Sequence, residues 1–270
     1  MMRPMPSLGS LPLPLSTTWA VLESLGATIT SDGDALVVSV DVPGHRWCHA
    51  VSVLDPARID EAHHWLARAA QEFPAVTYPA IGLPTRPDRE VWRRQPCRPV
   101  DGAAVEWWPQ HWIALEASTV APRHALPDGY SVVPIDKEEH WVQCADLPSA
   151  GGEEYRQTWT VLKRRRQDEG RAMFFAGLHQ GRVVATGGIV LCDLGNRQVA
   201  RFEDIETQPE HRQRGLASHL LAAAHTWAMD HGAESSVLVA DVEGEAVDLY
   251  HQIGFIDSDE SWMVLPRLAI

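Results

Sequence analysis

The chain is poor in cysteine. Its four thiols, Cys48, Cys97, Cys144 and Cys192, are far apart and form no C-x-x-C pair. That argues against a disulfide framework and fits a reduced, cytoplasmic protein. The chain is also short of basic charge: 23 Lys and Arg stand against 36 Asp and Glu, a formal net charge of −13. A nucleic-acid binder would present a basic face, so that class is set aside. A cationic substrate drawn to an acidic surface fits this charge, and so does plain solubility. No apolar run approaches the roughly 20 residues of a membrane span, so no membrane partner is expected. The opening stretch, Met1 to Leu15, is apolar but broken by Pro12 and Pro14. It has no convincing small-residue cleavage site and is not read as a signal peptide. The pairs His63 and His64, and His45 and His49, have no metal-ligand company, so no metal site is expected.

What is present is enough apolar residue, 45%, for one or two ordinary cores, and 270 residues is a length of about two domains. There are 11 Trp, most of them before residue 160. Trp107, Trp108 and Trp112 are expected to fill a first core, with a substrate-facing role for one of them as the sharper alternative. The stretch Ala117 to Gly129, rich in Pro, Ser and Ala without a period, reads as a linker. Domains are therefore placed at 1–120 and 121–270. Beyond the linker, strands and helices alternate in an α/β (α+β) pattern. Strands are expected at Tyr130 to Ile135, Met173 to Leu178, Arg182 to Leu191, Gln198 to Thr207, Ser236 to Asp241 and Ser261 to Pro266. Helices are expected at Lys137 to Cys144, Glu153 to Gln167, Leu216 to Asp230 and Glu245 to Ile253. The first 120 residues echo this order. Val51 to Pro56 resembles Asp204 to Pro209, and His64-Trp65-Leu66 stands where His219-Leu220-Leu221 stand. Val91 to Cys97 parallels Leu249 to Phe255, and Trp112 to Leu115 parallels Trp262 to Leu265. Four matches in one order suggest a duplicated unit.

The chemistry concentrates between Thr207 and Leu221. Pro209 stops a strand. Arg212 and Arg214 flank a loop that becomes a helix at Gly215, which can take positive φ and let the backbone approach an anion. Small Ala217 and Ser218 keep the first turn open. The unpaired N–H groups of that turn and the helix dipole then converge on one spot, suited to a pyrophosphate.

The run Arg212-x-x-Gly215-x-Ala217, after a strand and opening a helix, resembles the acyl-CoA signature of the GNAT acetyltransferase superfamily. Ala246-x-x-Leu249-Tyr250-x-x-Ile253-Gly254-Phe255 resembles that family's second signature, at the family's spacing. The resemblance covers roughly residues 128 to 270. It implies a mixed, bent central sheet flanked by helices, here as a tandem of two related domains, the first lacking the CoA loop. It implies acetyl-CoA as co-substrate and direct attack by a primary amine, a small cationic molecule being one such acceptor. The pyrophosphate would lie on Arg212, Gln213, Arg214, Gly215, Leu216, Ala217 and Ser218, and the pantetheine on the backbone of Ile205 and Thr207. Tyr250 matches the acid that protonates the departing thiolate; its alternative role is core packing with a capped hydroxyl. For the base, Glu206 is favoured and then Asp204, on a strand that also carries Glu203. Asp204 and Glu206 share a face if the strand is regular, and the family's usual bulge would break that parity. Tyr155 and Trp159, beside Glu153 and Glu154, are candidate acceptor contacts. Glu243 departs from the family's usual Asn, which weakens the case for cofactor contact there. The basic run Lys163 to Arg166 reads as a solvated helix face. A homodimer is compatible with all of this. The rivals are a CoA-binding scaffold module without chemistry and a protein N-acetyltransferase.

Overall fold

A computed structural model describes residues 8–40, 48–99, 102–145, 147, 153–244 and 246–268, without the side chains of residues 145 and 153–156. Met5 and His45, and the side chains of Glu153, Glu154 and Tyr155, therefore lie outside the described residues. The first half runs α1 (Leu13–Ser24), β1 (Thr28–Ser31), β2 (Ala35–Ser39), β3 (His49–Val53), α2 (Ala62–Glu72), β4 (Ala80–Leu83), α3 (Arg89–Arg93) and β5 (Val105–Ala117). The second runs β6 (Tyr130–Pro134), α4 (Glu138–Ala145), α5 (Glu153–Asp168), β7 (Ala172–His179), β8 (Arg182–Asp193), β9 (Gln198–Thr207), α6 (Leu216–Asp230), β10 (Ser236–Asp241), α7 (Val247–Gln252) and β11 (Ile256–Leu268). Expected and observed elements agree closely here. The exception is β11, which starts five residues before the expected Ser261 because its exposed acidic segment still pairs with β5.

All eleven strands form one mixed sheet, in the order β1-β2-β3-β4-β11-β5-β10-β9-β8-β7-β6. The two halves interlock at its centre. The last strand of the second half, β11, lies beside β4, and the last strand of the first half, β5, lies beside β10. The registers are related by a pseudo-dyad. Trp262, Met263 and Val264 face Leu83, Gly82 and Ile81. Trp112, Ile113 and Ala114 face Asp241, Ala240 and Val239. The sequence echo between Trp112 and Trp262 thus occupies equivalent ladder positions. β3–β4 and β9–β10 are the matching parallel pairs. A cut at residue 120 would divide the chain without dividing the sheet.

Helix α1 shows the same interlocking. Leu13, Ala20 and Val21 join a core with Trp141, Phe174, Val190 and Val237 of the second half. Alternation along β7 separates the two faces of the sheet. Phe175 packs in the cluster that contains α6 residues Leu216, Leu220 and Leu221, and Phe174 packs in the α1 cluster. Trp107 and Trp112 are buried, at 6% exposure each. Trp108 instead carries the guanidinium groups of Arg89, Arg93 and Arg267 on its ring.

Candidate active site

Strands β9 and β10 pair only through Ser236–Ala200 and Val237–Arg201 and then separate. The gap opens between the end of β9 and the end of β10. Asp204 has φ +53°, and the β8–β9 register shifts between Thr186–Glu206 and Gly188–Glu203. This is a β-bulge, two residues of β9 opposing one of β8. Gly187 sits across from it, where a Cβ would meet Ile205 Cδ1. The bulge has a consequence for charge. In a regular strand Asp204 and Glu206 would share the face of Phe202, under α6. With the bulge, Ile205 packs toward α6, and Asp204 turns to α5, onto the face of Arg201 and Glu203. Glu206 falls opposite Ile205, within reach of the charges of Lys163 and the Cys144 thiol.

The three carboxylates differ in environment. Asp204 Oδ2 accepts from Trp159 Nε1 at 2.7 Å and from Lys163 Nζ at 2.9 Å. Burial opposes its charge, but Lys163 and the indole N–H outweigh burial and hold the carboxyl below the ordinary aspartate value. Burial raises Glu203, against the pull of Arg201 at 3.7 Å. Burial also raises Glu206, and the Asp204 charge adds to the rise, against Lys163 and Arg212. Trp159 is itself 5% exposed, so it supports Asp204 from within the core.

The loop after β9 leads into α6 through two residues in the left-handed region. Pro209–His211 form a short 3-10 turn, and Gln213 has φ +58°. Gly215 is the N-cap of α6 with φ +82°, no side chain caps the helix, and no acidic residue lies in its first turn. Arg212, Gln213, Arg214 and Gly215 are exposed, Ala217 is half-buried, and Leu216 and Ser218 are buried. Leu216 anchors the turn in the core, and Ser218 Oγ donates to the Gly215 carbonyl at 2.8 Å. Arg212 Nε donates to the Thr207 carbonyl at 3.1 Å and so ties the loop to the strand end. The residues present fit a pyrophosphate: uncapped amides, a positive dipole end and two guanidinium groups.

Tyr250, on α7, is half-buried and packs edge-on against Phe255, with ring centroids 6.2 Å apart. Burial raises its phenol above the ordinary value, so it carries its proton at neutral pH. No hydrogen bond from its hydroxyl is found among the described residues. Glu243 is exposed and lies 3.7 Å from Arg89 of the first half. Among the described residues no three His, Cys, Asp or Glu side chains gather as a metal site, and no helix is long and apolar enough to cross a membrane.

The solvated face expected at Lys163 to Arg166 is corrected in part. Arg164 and Arg165 are 42% and 48% exposed, with Arg164 bonded to Glu138. Lys163 is 15% exposed and Arg166 is fully buried, because α5 turns both onto the sheet. A run of four cations on a helix spans a full turn, so part of it must face whatever the helix covers.

Residues 138–255 match the Acetyltransferase (GNAT) family. No curated protein matches the chain. Among solved structures, a GCN5-related N-acetyltransferase from Kribbella flavida is similar at TM-score 0.62 and 15% identity, over 91% of this chain and 92% of that one. A tandem GNAT protein from the clavulanic acid biosynthesis pathway is similar at TM-score 0.54 and 15% identity, over 95% and 97%. A GCN5-related N-acetyltransferase-like protein from Streptococcus suis is similar at TM-score 0.54 and 13% identity, over 88% of each chain. At these identities the likeness speaks for the fold, and it spans both halves. The matched span, residues 138–255, holds the bulged strand, the Gly215 loop and the Tyr250 helix together, and over both halves the fold is similar to that of GNAT proteins, a tandem GNAT protein among them.

Proposed function

We propose that the chain is an acetyl-CoA-dependent N-acetyltransferase acting on a primary amine by direct attack. The observation that carries this is the bare start of α6 at Gly215, beside strands that separate and a bulge that gathers carboxylates. The amides from Arg212 to Ser218 would hold the pyrophosphate, and the backbone of Ile205 and Thr207 the pantetheine. Acetyl-CoA would supply an activated thioester. Everything else falls to the chain's own groups: an amine must lose a proton, and a thiolate must gain one.

Glu206 suits the first task better than Asp204. A base works best when its pKa approaches the operating pH, and Glu206 is raised while Asp204 is lowered. One Asp204 oxygen is also already committed to Trp159 and Lys163. Tyr250 suits the second task, since it is protonated and its hydroxyl is free of described partners. In this reading the first half, residues 1–120, does not bind CoA. It closes the second half through β5 and α1 and borders the acceptor side. The binding-module alternative draws on Glu243, whose ion pair with Arg89 turns it toward the first half.

Thiol release from acetyl-CoA over an amine panel tests the proposal. Turnover of at least one amine is expected. CoA binding with no turnover across primary amines and peptides would favour the binding module.

A further inference from the structure

Arg166, near the end of α5, has no place in the chemistry above and is costly where it stands. It is 0% exposed, and its Nε, Nη1 and Nη2 find no hydrogen-bond partner among the described residues. It is stacked against the rings of Trp159 and Phe174, with Cζ at 5.5 and 5.7 Å from their centroids. A guanidinium offers five donors and stays charged, so burying it bare is unfavourable.

Its neighbours do not resolve the deficit. Three cations, Lys163, Arg166 and Arg201, are within electrostatic range of two carboxylates, Glu203 and Asp204. Arg201 is committed to the hydroxyls of Thr17 and Thr18, at 3.0 and 2.8 Å, and lies 3.7 Å from Glu203. Asp204 is committed to Lys163 and Trp159. Among these three cations Arg166 is the one with no hydrogen-bonded partner among the described residues, for Lys163 is held by Asp204 and Arg201 by Thr17 and Thr18.

We propose that Arg166 is the seat of a carboxylate-type monoanion, supplied by the acceptor, which would be an amine that also carries a carboxylate. This rests on the acetyltransferase proposal and narrows its substrate class. Trp159 links the two ends of such an acceptor: its ring faces Arg166, and its N–H holds Asp204 on the bulge. A carboxylate at Arg166 would therefore leave the amine on the side of the bulge carboxylates. Asp204 and Lys163, 34% and 15% exposed, mark the way in. Lys163 must shift to admit the anion, which its flexible four-carbon stem permits.

The test separates the anion site from the reaction. Thermal shift is followed while formate, or chloride, is titrated at fixed ionic strength into wild-type protein and the Arg166→Met and Arg166→Gln variants. A saturable rise is expected in the wild type and no response in the variants. The variants should melt at or above the anion-free wild type, since they lose an unpaired buried charge. Equal anion responses in wild type and variants, or none in either, would overturn the site. Thiol release is then compared for amino acids and their decarboxylated amines. The Arg166 variants should raise KM about 10- to 100-fold for carboxylate-bearing acceptors and leave the decarboxylated ones unchanged. An anion response with equal turnover of both acceptor types would confirm the site but assign it to a free ion, overturning the acceptor assignment. An anion response with no amine turned over would count against the transferase proposal and leave the anion site standing.

Discussion

Helices α6 and α2 hold related places in the two halves of one sheet, yet they open differently. At α6 the N-cap is Gly215 with φ +82°, and the loop residues before it are exposed. At α2 the N-cap is Glu61 with φ −76°. There Arg58 bonds Glu61 and Asp34, each at 2.8 Å, and lies over the ring of Trp65 at 5.1 Å. Trp65 Nε1 in turn donates to the Arg58 carbonyl at 2.8 Å. The first helix start carries an ion network of its own, with its N-cap residue Glu61 bound to Arg58, although no side chain caps its amides either. The second has a glycine N-cap in the left-handed region and so no carboxylate at that position. The halves differ again at the second motif. Trp92 of the first half is fully buried with its indole N–H unpartnered among the described residues, while Tyr250 of the second is only half-buried. Two halves with matching ladders thus differ at both of these places.

Paired substitutions can break this comparison. The largest effect is expected at the helix starts. Gly215→Trp places an indole over the cradle and forces an L-residue into positive φ, so CoA affinity by titration calorimetry should fall more than about 100-fold, the loss of two or more charge-assisted bonds. Glu61→Trp in the first half should leave CoA affinity unchanged. A comparable loss in both would mean that the first half also binds. The next effect is expected at the second motif. Tyr250→Phe should lower kcat about 100-fold or more with CoA affinity retained, the usual scale of a general acid. Trp92→Phe should leave kcat unaltered and cost less stability than the about 3–5 kcal/mol of a full Trp→Ala truncation. An unchanged kcat in Tyr250→Phe would return that residue to core packing.

Local chemistry makes much of the site legible in the sequence. Pro209, Gly215 and the apolar spacing from Leu216 onward define a strand end and a helix start, and β9 and α6 lie where those residues put them. What the sequence hides is non-local. Nothing in Trp112 or Trp262 announces that their strands change places between halves, because exchange preserves each strand's own alternation. Helix α1 leaves no periodic signal, because an apolar helix buried on nearly every side shows no stripe, and 11 of its 12 residues are buried. Lys163 and Arg166 read as a surface run because charge is ordinarily solvated, and only the packing of α5 on β7 shows otherwise. The bulge at Asp204 is implied by the family resemblance. Its effect, turning Asp204 and Glu206 away from the Phe202 face, depends on where the extra residue falls.

The smallest effect concerns those carboxylates, and it separates base from neighbour. If Glu206 must be ionised, kcat should rise with pH through a limb above the ordinary glutamate range, because burial and the Asp204 charge both raise it. Glu206→Gln should remove the limb and most of the rate. Asp204→Asn removes one cause of the rise, so the limb should move to lower pH while a measurable rate remains. If Asp204 were the base, the same substitution would abolish the rate and leave no limb to follow. Stability gives an independent sign. A carboxyl raised on folding favours the native state below its unfolded pKa, and that contribution is lost as pH rises through the folded value. Glu206→Gln should therefore flatten the pH dependence of Tm in that window and leave the protein no less stable at pH 7. Asp204 has the opposite sign. Its lowered carboxyl supports the fold above the unfolded aspartate value and loses that support as pH falls, so Asp204→Asn should lower Tm at pH 7, where Glu206→Gln does not.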